Sequence, residues 1–172
     1  MAAGNTYTQI ASTTLGSAAS SVTFSSIAGT YTDLIIVVNA RGNNAGTTDQ
    51  VAIRFNSDTT TNYSRTILYG TGSAAASART SNDSKILIDY VAGDTAAAGT
   101  FGGCYINVMN YANTTTFKTV LSRAGTAGDL VEANVGLWRA TPAAITTILI
   151  YPGIGTQWLT GSTFNLYGIT AA

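Results

Sequence analysis

One-by-one alternation of apolar and polar residues constrains the fold of this chain more than any other feature. Val51, Ile53 and Phe55 fall on one side of an extended segment, which is the pattern of a half-buried β-strand. By contrast, we find no stretch of ten residues with apolar side chains at the three-and-four spacing of an amphipathic helix. Thr, Val, Ile and Tyr are abundant, and their side chains fit a pleated sheet better than a helix. The chain is therefore predicted to be all-β, with essentially no helix.

A second alternating segment covers residues 130–139. Glu132 and Asn134 point to one side of it, and the apolar residues that share the other side are Val131, Ala133, Val135 and Leu137. Residues 34–38 are apolar on both sides, which predicts a central strand covered from both directions. Further strands are predicted near residues 7–15, 22–27, 65–69, 85–91, 104–109, 117–123, 145–151 and 163–169.

Clusters of Gly, Asn, Asp and Ser separate these segments and favour turns. About ten short strands with this spacing predict a two-sheet antiparallel sandwich. A jelly-roll-like arrangement is preferred to an immunoglobulin one, because a single cysteine rules out the Cys–Trp–Cys pattern. We expect one domain over residues 1–172, with residues 1–6 as a candidate N-terminal docking arm. The Ala-, Ser- and Gly-rich segments 73–78 and 92–103 are predicted to be long loops between strands.

Composition argues against several kinds of function. Eight Lys and Arg residues balance eight Asp and Glu residues, and 9% of the residues are charged, against about 25% in ordinary soluble proteins. This argues against a nucleic-acid or membrane-surface partner, since both need clustered positive charge. The chain has no histidine, the commonest general base and metal ligand near neutral pH. We therefore predict a protein that is not an enzyme, with no catalytic residues, no cofactor and no metal.

Few side chains suggest chemistry, and each has a structural explanation. Asp129 and Glu132 are three residues apart, but on a strand this odd spacing sends the two carboxylates to opposite sides. Asp49 and the segment 56–58 could ligate calcium, although Asn, Ser and Asp are standard residues of a turn that closes a hairpin. Cys104 lies in an apolar strand pattern, which favours a small buried hydrophobe over a reactive thiol.

Three aromatic residues, Trp138, Tyr151 and Trp158, are the remaining candidates for a site. Their flat apolar rings could form a platform on which a sugar stacks. Packing in the core or at a subunit interface is the stronger interpretation, because aromatic residues dominate both. A surface of Thr, Ser, Asn, Gly and Ala with no net charge also favours association. The composition thus fits a protein whose final state is a packed multimer.

Segments spread over nearly the whole chain are similar to one known family. They are residues 7–10 (YTQI), 20–27 (SSVTFSSI), 31–34 (YTDL), 54–56 (RFN) with Asp58, 62–64 (NYS), 137–139 (LWR), 144–146 (AIT) and 164–169 (FNLYGI). They resemble the small jelly-roll virion proteins of tailed phages of cyanobacteria and other aquatic bacteria. These are strand-and-turn motifs, and the resemblance supplies no catalytic residue. It implies a capsid cement (decoration) protein or a tail-fibre component, assembled as a trimer.

The resemblance leads to two hypotheses about function. The first is a decoration protein that binds the outer surface of an icosahedral capsid and stabilises the shell. Its partners would be the major capsid protein and further copies of itself in a homotrimer, and its location the virion, assembled in the host cytoplasm. The alternative is a tail-fibre or tail-spike domain that binds host-surface glycans through Trp138, Tyr151 or Trp158. A single domain without a coiled-coil heptad run suits the decoration protein better.

Overall fold

The structure, a computed structural model, describes residues 6–127 and 130–170. Those residues form twelve β-strands in two antiparallel sheets and contain no helix, which confirms the predicted all-β sandwich. None of them therefore belongs to a helix able to cross a membrane. The strands are β1 (Tyr7–Thr14), β2 (Val22–Phe24), β3 (Asp33–Ala40), β4 (Thr48–Phe55), β5 (Tyr63–Gly70), β6 (Ala75–Asp83), β7 (Ile86–Ala92), β8 (Gly102–Val108), β9 (Lys118–Thr126), β10 (Leu130–Trp138), β11 (Ile148–Pro152) and β12 (Thr163–Ile169).

The two sheets differ in width. The larger sheet has the order β1-β12-β3-β8-β9-β10-β5-β6, and the smaller has the order β2-β11-β4-β7. Three nested antiparallel pairs, β3 with β12, β4 with β11 and β5 with β10, join the first half of the chain to the second. Nested pairs that alternate between two sheets are the basis of a jelly-roll-like arrangement. The predicted fold class is therefore confirmed.

The core lies between the two sheets and holds aromatic rings at two points. Phe55, Tyr63 and Trp138 pack together with ring centroids 5.7 to 6.4 Å apart. Trp158 is fully buried, and its ring centroid lies 5.6 Å from that of Phe164. Because aromatic side chains bury large apolar areas, these two clusters anchor the sandwich.

The expected cover on both sides of residues 34–38 reaches only part of that segment. β3 lies between β12 and β8, and its inward side chains are fully buried. On the outward side Ile35 is buried, whereas Val37 is half-buried and Asn39 is exposed. The smaller sheet covers the inward side of β3. The outward side of β3 becomes accessible to solvent from Val37 onwards.

The prediction of a loop at residues 73–78 is wrong, because most of that segment belongs to β6. β6 pairs with β5 at one edge of the larger sheet and is exposed on both sides for most of its length. Its sequence shows no alternation of large apolar and polar side chains, since neither side of the strand packs on a core. The strand exists through its pairing with β5, a contact that local sequence does not encode.

The other predicted long loop is held in place by an arginine. Residues 93–101 connect β7 to β8, and the Arg41 guanidinium donates hydrogen bonds to the carbonyl oxygens of Asp94, Ala96 and Ala97 at 2.8 to 3.0 Å. Of the candidate docking arm, residues 1–6, only the last residue is among those described.

Candidate functional site

The outer surface of the larger sheet exposes apolar side chains in the middle of a regular sheet. β10 turns the apolar side of its alternation outwards, so that Val131 is 63% and Val135 is 50% exposed. Leu68 on β5 is 61% exposed, and Leu121 on β9 is 41% exposed. With the exposed Ala133 these four side chains form what we call the aliphatic face.

The register of the strands makes the aliphatic face continuous. Leu121 is directly opposite Val135 across the β9–β10 pair, and Ala133 is directly opposite Leu68 across the β10–β5 pair. Opposite side chains on one side of a sheet have Cβ atoms about 4.5–5.5 Å apart, so these residues touch one another. Single exposed apolar residues are ordinary, but a joined apolar patch on a sheet is typical of an interaction surface.

The inward side of β10 is polar because it lies over the edge of the smaller sheet. The Asn134 side-chain amide donates hydrogen bonds to the carbonyl oxygens of Leu87 and Ile88 on β7 at 2.7 and 2.6 Å. The Arg65 guanidinium on β5 donates to the Leu87 carbonyl oxygen at 3.0 Å. β7 is an edge strand, whose outer carbonyl groups have no neighbouring strand to bond them. Polar side chains of the larger sheet form hydrogen bonds with carbonyl groups of this edge strand. The polar side of β10 therefore faces inwards, and its apolar side faces outwards.

Two charged residues are buried on the inward side of the larger sheet. Glu132 is 3% exposed, and neither of its carboxylate oxygens has a hydrogen-bond partner. Its predicted counterpart Asp129 lies outside the described residues. Lys118 is 1% exposed, and its ammonium group donates to the carbonyl oxygens of Asn113 and Thr116 at 2.6 and 2.7 Å. Burial lowers the pKa of Lys118.

The candidate calcium ligands are not brought together. Asp49 and the segment 56–58 lie at opposite ends of β4, about 23 Å apart along an extended strand. Asp49 is fully buried, and its Oδ1 accepts hydrogen bonds from the backbone N–H groups of Gln50, Ile154 and Gly155 at 2.7 to 3.1 Å. This carboxylate fixes the loop after β11 against β4. In the described part of the chain, no three Cys, Asp or Glu side chains are grouped to hold a metal ion.

Residues 56–58 form a turn, as one of the two interpretations predicts. Asn56 and Ser57 have φ angles of 49° and 58°, and the Asp58 N–H donates to the Phe55 carbonyl oxygen at 2.9 Å. These are the features of a type I′ turn. The turn does not close a hairpin, because β4 and β5 belong to different sheets.

The Asp58 carboxylate ties this turn to the core. Oδ2 accepts hydrogen bonds from Trp138 Nε1 at 2.7 Å and from Asn62 Nδ2 at 3.0 Å, and Oδ1 accepts the Thr60 N–H at 2.9 Å. Burial alone would raise the pKa of Asp58, but hydrogen bonds from Thr60, Trp138 and Asn62 outweigh it and lower the pKa to about 2.

The three aromatic candidates lie in separate places. Trp138 is 4% exposed in the core beside Tyr63, and Trp158 is fully buried near Phe164. Tyr151 is half-buried on the smaller sheet, with the Arg54 guanidinium 5.0 Å from the centroid of its ring. Neither indole presents a ring face to solvent, so the three residues do not form a shared platform on the surface.

A different tyrosine group does lie on the outer surface of the larger sheet, beside the aliphatic face. Tyr7 on β1 is 51% exposed, and its hydroxyl lies 3.4 Å from that of Tyr105 on β8. The Arg123 guanidinium lies 5.1 Å from the centroid of the Tyr105 ring. Burial and the hydrogen bond with Tyr7 raise the pKa of Tyr105 to about 12. We call Tyr7, Tyr105 and Arg123 the tyrosine cluster.

The sequence contains a signal for the aliphatic face but not for the tyrosine cluster. The alternation in residues 130–139 identifies Val131 and Val135 as one side of a strand, although not as the solvent side. Tyr7 and Tyr105 are 98 residues apart in sequence, and the order of the strands in the sheet, with only β12 and β3 between β1 and β8, brings them close together.

No family model, curated protein or solved structure matches the chain. The resemblance to phage virion proteins therefore stays a prediction.

Proposed function

We propose that this protein is a non-enzymatic structural subunit that works by packing against other protein chains, as a decoration protein on the outer surface of a phage capsid. The aliphatic face carries this proposal. Val131, Leu68 and Val135 are each at least half exposed on a rigid sheet, where a covering protein would remove them from water. The partners would be the major capsid protein and further copies of the chain, in the virion.

Polar side chains that are fixed by hydrogen bonds support a structural role. The buried Asp49 and the half-buried Asp58 each accept hydrogen bonds that fix a turn or a loop, and the buried Lys118 donates to two carbonyl oxygens. These hydrogen bonds hold each side chain in a fixed position, where it stabilises the fold. A rigid sandwich of this kind would stabilise a shell by linkage, because a protein that binds only the assembled shell shifts the equilibrium towards assembly.

The test locates and counts the protein in phage particles. Quantitative mass spectrometry and cryo-electron microscopy should find it on the outside of the shell, in numbers comparable to the capsomers. Particles stripped of the protein should release their genome at a lower temperature, and added purified protein should restore the original temperature. A few copies confined to the tail, or no effect of added protein on heat release, would reject the decoration role.

The tyrosine cluster favours glycan recognition as a second candidate function. The exposed ring of Tyr7 and the hydroxyl of Tyr105 offer stacking and hydrogen bonding on one surface, which sugars require. In a glycan-array experiment, Tyr7→Ala should abolish binding. Phe117→Ala is the matched control, because Phe117 is 50% exposed and precedes β9. Absence of binding by the unaltered protein, or equal loss in both variants, would reject this function.

A further inference from the structure

We propose that the aliphatic face binds the same face of a second copy of this chain, around a two-fold axis parallel to the strands and between β9 and β10. This inference rests on the proposed function, because both require the face to be covered by protein, and it names the partner. The heights of the side chains and the area of the face support a second copy as the partner.

Side-chain heights across the face are uneven in a regular way. Val131 stands between Gly125 on β9 and Gly70 on β5 in the strand register, and Gly103 on β8 is opposite Gly125. On these four neighbouring strands the row therefore consists of three glycines and one valine, and only the valine projects from the sheet. In the next row, Arg123 is opposite Ala133, which again sets a tall residue beside a short one.

The proposed axis places two tall residues of one copy over short residues of the other. It lays β10 of one copy over β9 of its partner, so that Val131 meets the hollow at Gly125. Ala133 then lies under Arg123, and Val135 packs on Leu121. Each contact occurs twice, since a two-fold interface is self-complementary. The same operation lays β5 over β8.

Laying β5 over β8 completes the contact. Leu68 reaches the ring of Tyr105, and Gly70 faces Gly103. A Cβ atom added at Gly103 would meet no atom within 4 Å, and its φ is not in the left-handed region. The single chain therefore gives no steric reason for glycine at this position. Glycine inside a strand weakens the sheet, and it often marks a place where another backbone approaches closely.

The face carries few charged side chains, and both are arginines. In the three rows that span Gly103 to Asn107 on β8, the charged side chains on the outward side of β3, β8, β9, β10, β5 and β6 are Arg79 and Arg123. Arg123 is held over the ring of Tyr105 in its own chain and lies opposite an alanine of the other copy. The whole chain has no net charge, so long-range repulsion between copies is small.

The area is sufficient for a stable dimer. Six strands at about 4.8 Å spacing and seven residues at about 3.3 Å each give a plan area of about 670 Å². Side-chain relief increases this value towards the roughly 800 Å² per partner of a standard protein interface.

The experiment compares two glycine-to-arginine variants by analytical ultracentrifugation across a range of concentrations. The unaltered protein should sediment with twice the mass of the 17.7 kDa chain. Gly103→Arg should weaken dimerisation at least about tenfold, because a long cationic side chain overfills the space opposite Gly70 and adds charge of the same sign as that of Arg79 and Arg123. It should leave the resistance of the dilute monomer to urea unchanged, because a Cβ added at Gly103 meets no atom of its own chain within 4 Å. Gly16→Arg is the control, since Gly16 also has open space around an added Cβ and follows the edge strand β1.

The outcomes separate this proposal from the proposed function. A monomer at all concentrations, a trimer, or a dimer unaffected by Gly103→Arg would overturn the two-fold contact. If the protein is monomeric but binds capsids, and Gly103→Arg abolishes that binding while Gly16→Arg does not, the face serves the capsid protein and the decoration role stands. If the dimer forms through Gly103 but the protein does not bind particles, the self-association stands and the decoration role fails.

Discussion

Replacing Asp58 by asparagine should remove an acid-sensitive part of the stability of this protein. The Asp58 carboxylate accepts hydrogen bonds from Trp138 Nε1, Asn62 Nδ2 and the Thr60 N–H. Asparagine keeps the size of the side chain but replaces one acceptor oxygen with a donor NH2 group. Donors that face the NH2 end therefore lose their acceptor, and the charge that strengthens the other bonds is absent.

The pKa of Asp58 gives both the magnitude and the sign of the effect. The pKa of Asp58 in the folded protein, about 2, lies below its ordinary value of 3.8, and at 1.36 kcal/mol for each tenfold change in acidity this difference corresponds to about 2.4 kcal/mol. Because the carboxylate is partly exposed, solvent screening reduces this to about 1–2 kcal/mol. A lowered folded pKa stabilises the protein above pH 3.8, and this contribution is lost as the pH falls through 2.

The measurement is urea unfolding of the unaltered protein and of Asp58→Asn, followed by tryptophan fluorescence between pH 7 and pH 2. The two free energies of unfolding should differ by about 1–2 kcal/mol at neutral pH and converge towards pH 2. Asp94→Asn, which alters an exposed carboxylate, should follow the unaltered protein at every pH. A difference between Asp58→Asn and the unaltered protein that stays constant over this range would refute the assignment of the low pKa to Asp58.

Three further substitutions test the core and the layer between the sheets. Glu132→Gln should raise the free energy of unfolding at pH 7 by about 1 kcal/mol, because it replaces a buried carboxyl group that has no hydrogen-bond partner with a neutral amide; an unchanged urea midpoint would contradict this. Asn134→Ala should cost about 1–3 kcal/mol in the same assay, since the Ile88 carbonyl loses this donor and the Leu87 carbonyl keeps only the hydrogen bond from Arg65. Trp158→Ala should cost about 3–5 kcal/mol in thermal unfolding, because the indole is fully buried; a loss below 1 kcal/mol would place the ring outside the core.

Local pattern predicts the strands wherever one side of a strand packs on the core. The predicted strand at residues 163–169 coincides with β12, because alternation and flanking turn residues mark both of its ends. The segment 130–139 likewise becomes β10 with a difference of one residue at its end. β6 has no such signal, since its residues contact a partner strand but not a core.

Local pattern cannot predict the location of the aromatic side chains. Trp138 and Trp158 are consistent with both a surface platform and a core from sequence alone, because aromatic rings are frequent in both. Trp158 lies in a connection after β11, where nothing local marks it as buried. Its position depends on the packing of Phe164 on β12 against the loop that precedes that strand. Such contacts are set by the tertiary arrangement.

The orientation of β10 is the decisive fact that sequence leaves open. Alternation fixes which residues share a side, but the side that faces inwards depends on what lies beneath the strand. The larger sheet is twice as wide as the smaller, and β10 lies over the edge strand β7, whose carbonyl groups Asn134 binds.

The consequence of that orientation is energetic. Full burial of an aliphatic side chain stabilises by about 1.5–3 kcal/mol, so four half-exposed side chains leave about 3–6 kcal/mol per copy unrealised. These side chains are Leu68, Leu121, Val131 and Val135. Two copies that bury the aliphatic face together recover about twice that amount. This gain is of the size needed to offset the loss of translational and rotational freedom on association. The outward orientation of β10 therefore leaves a free-energy gain that is realised only when another protein surface covers the aliphatic face.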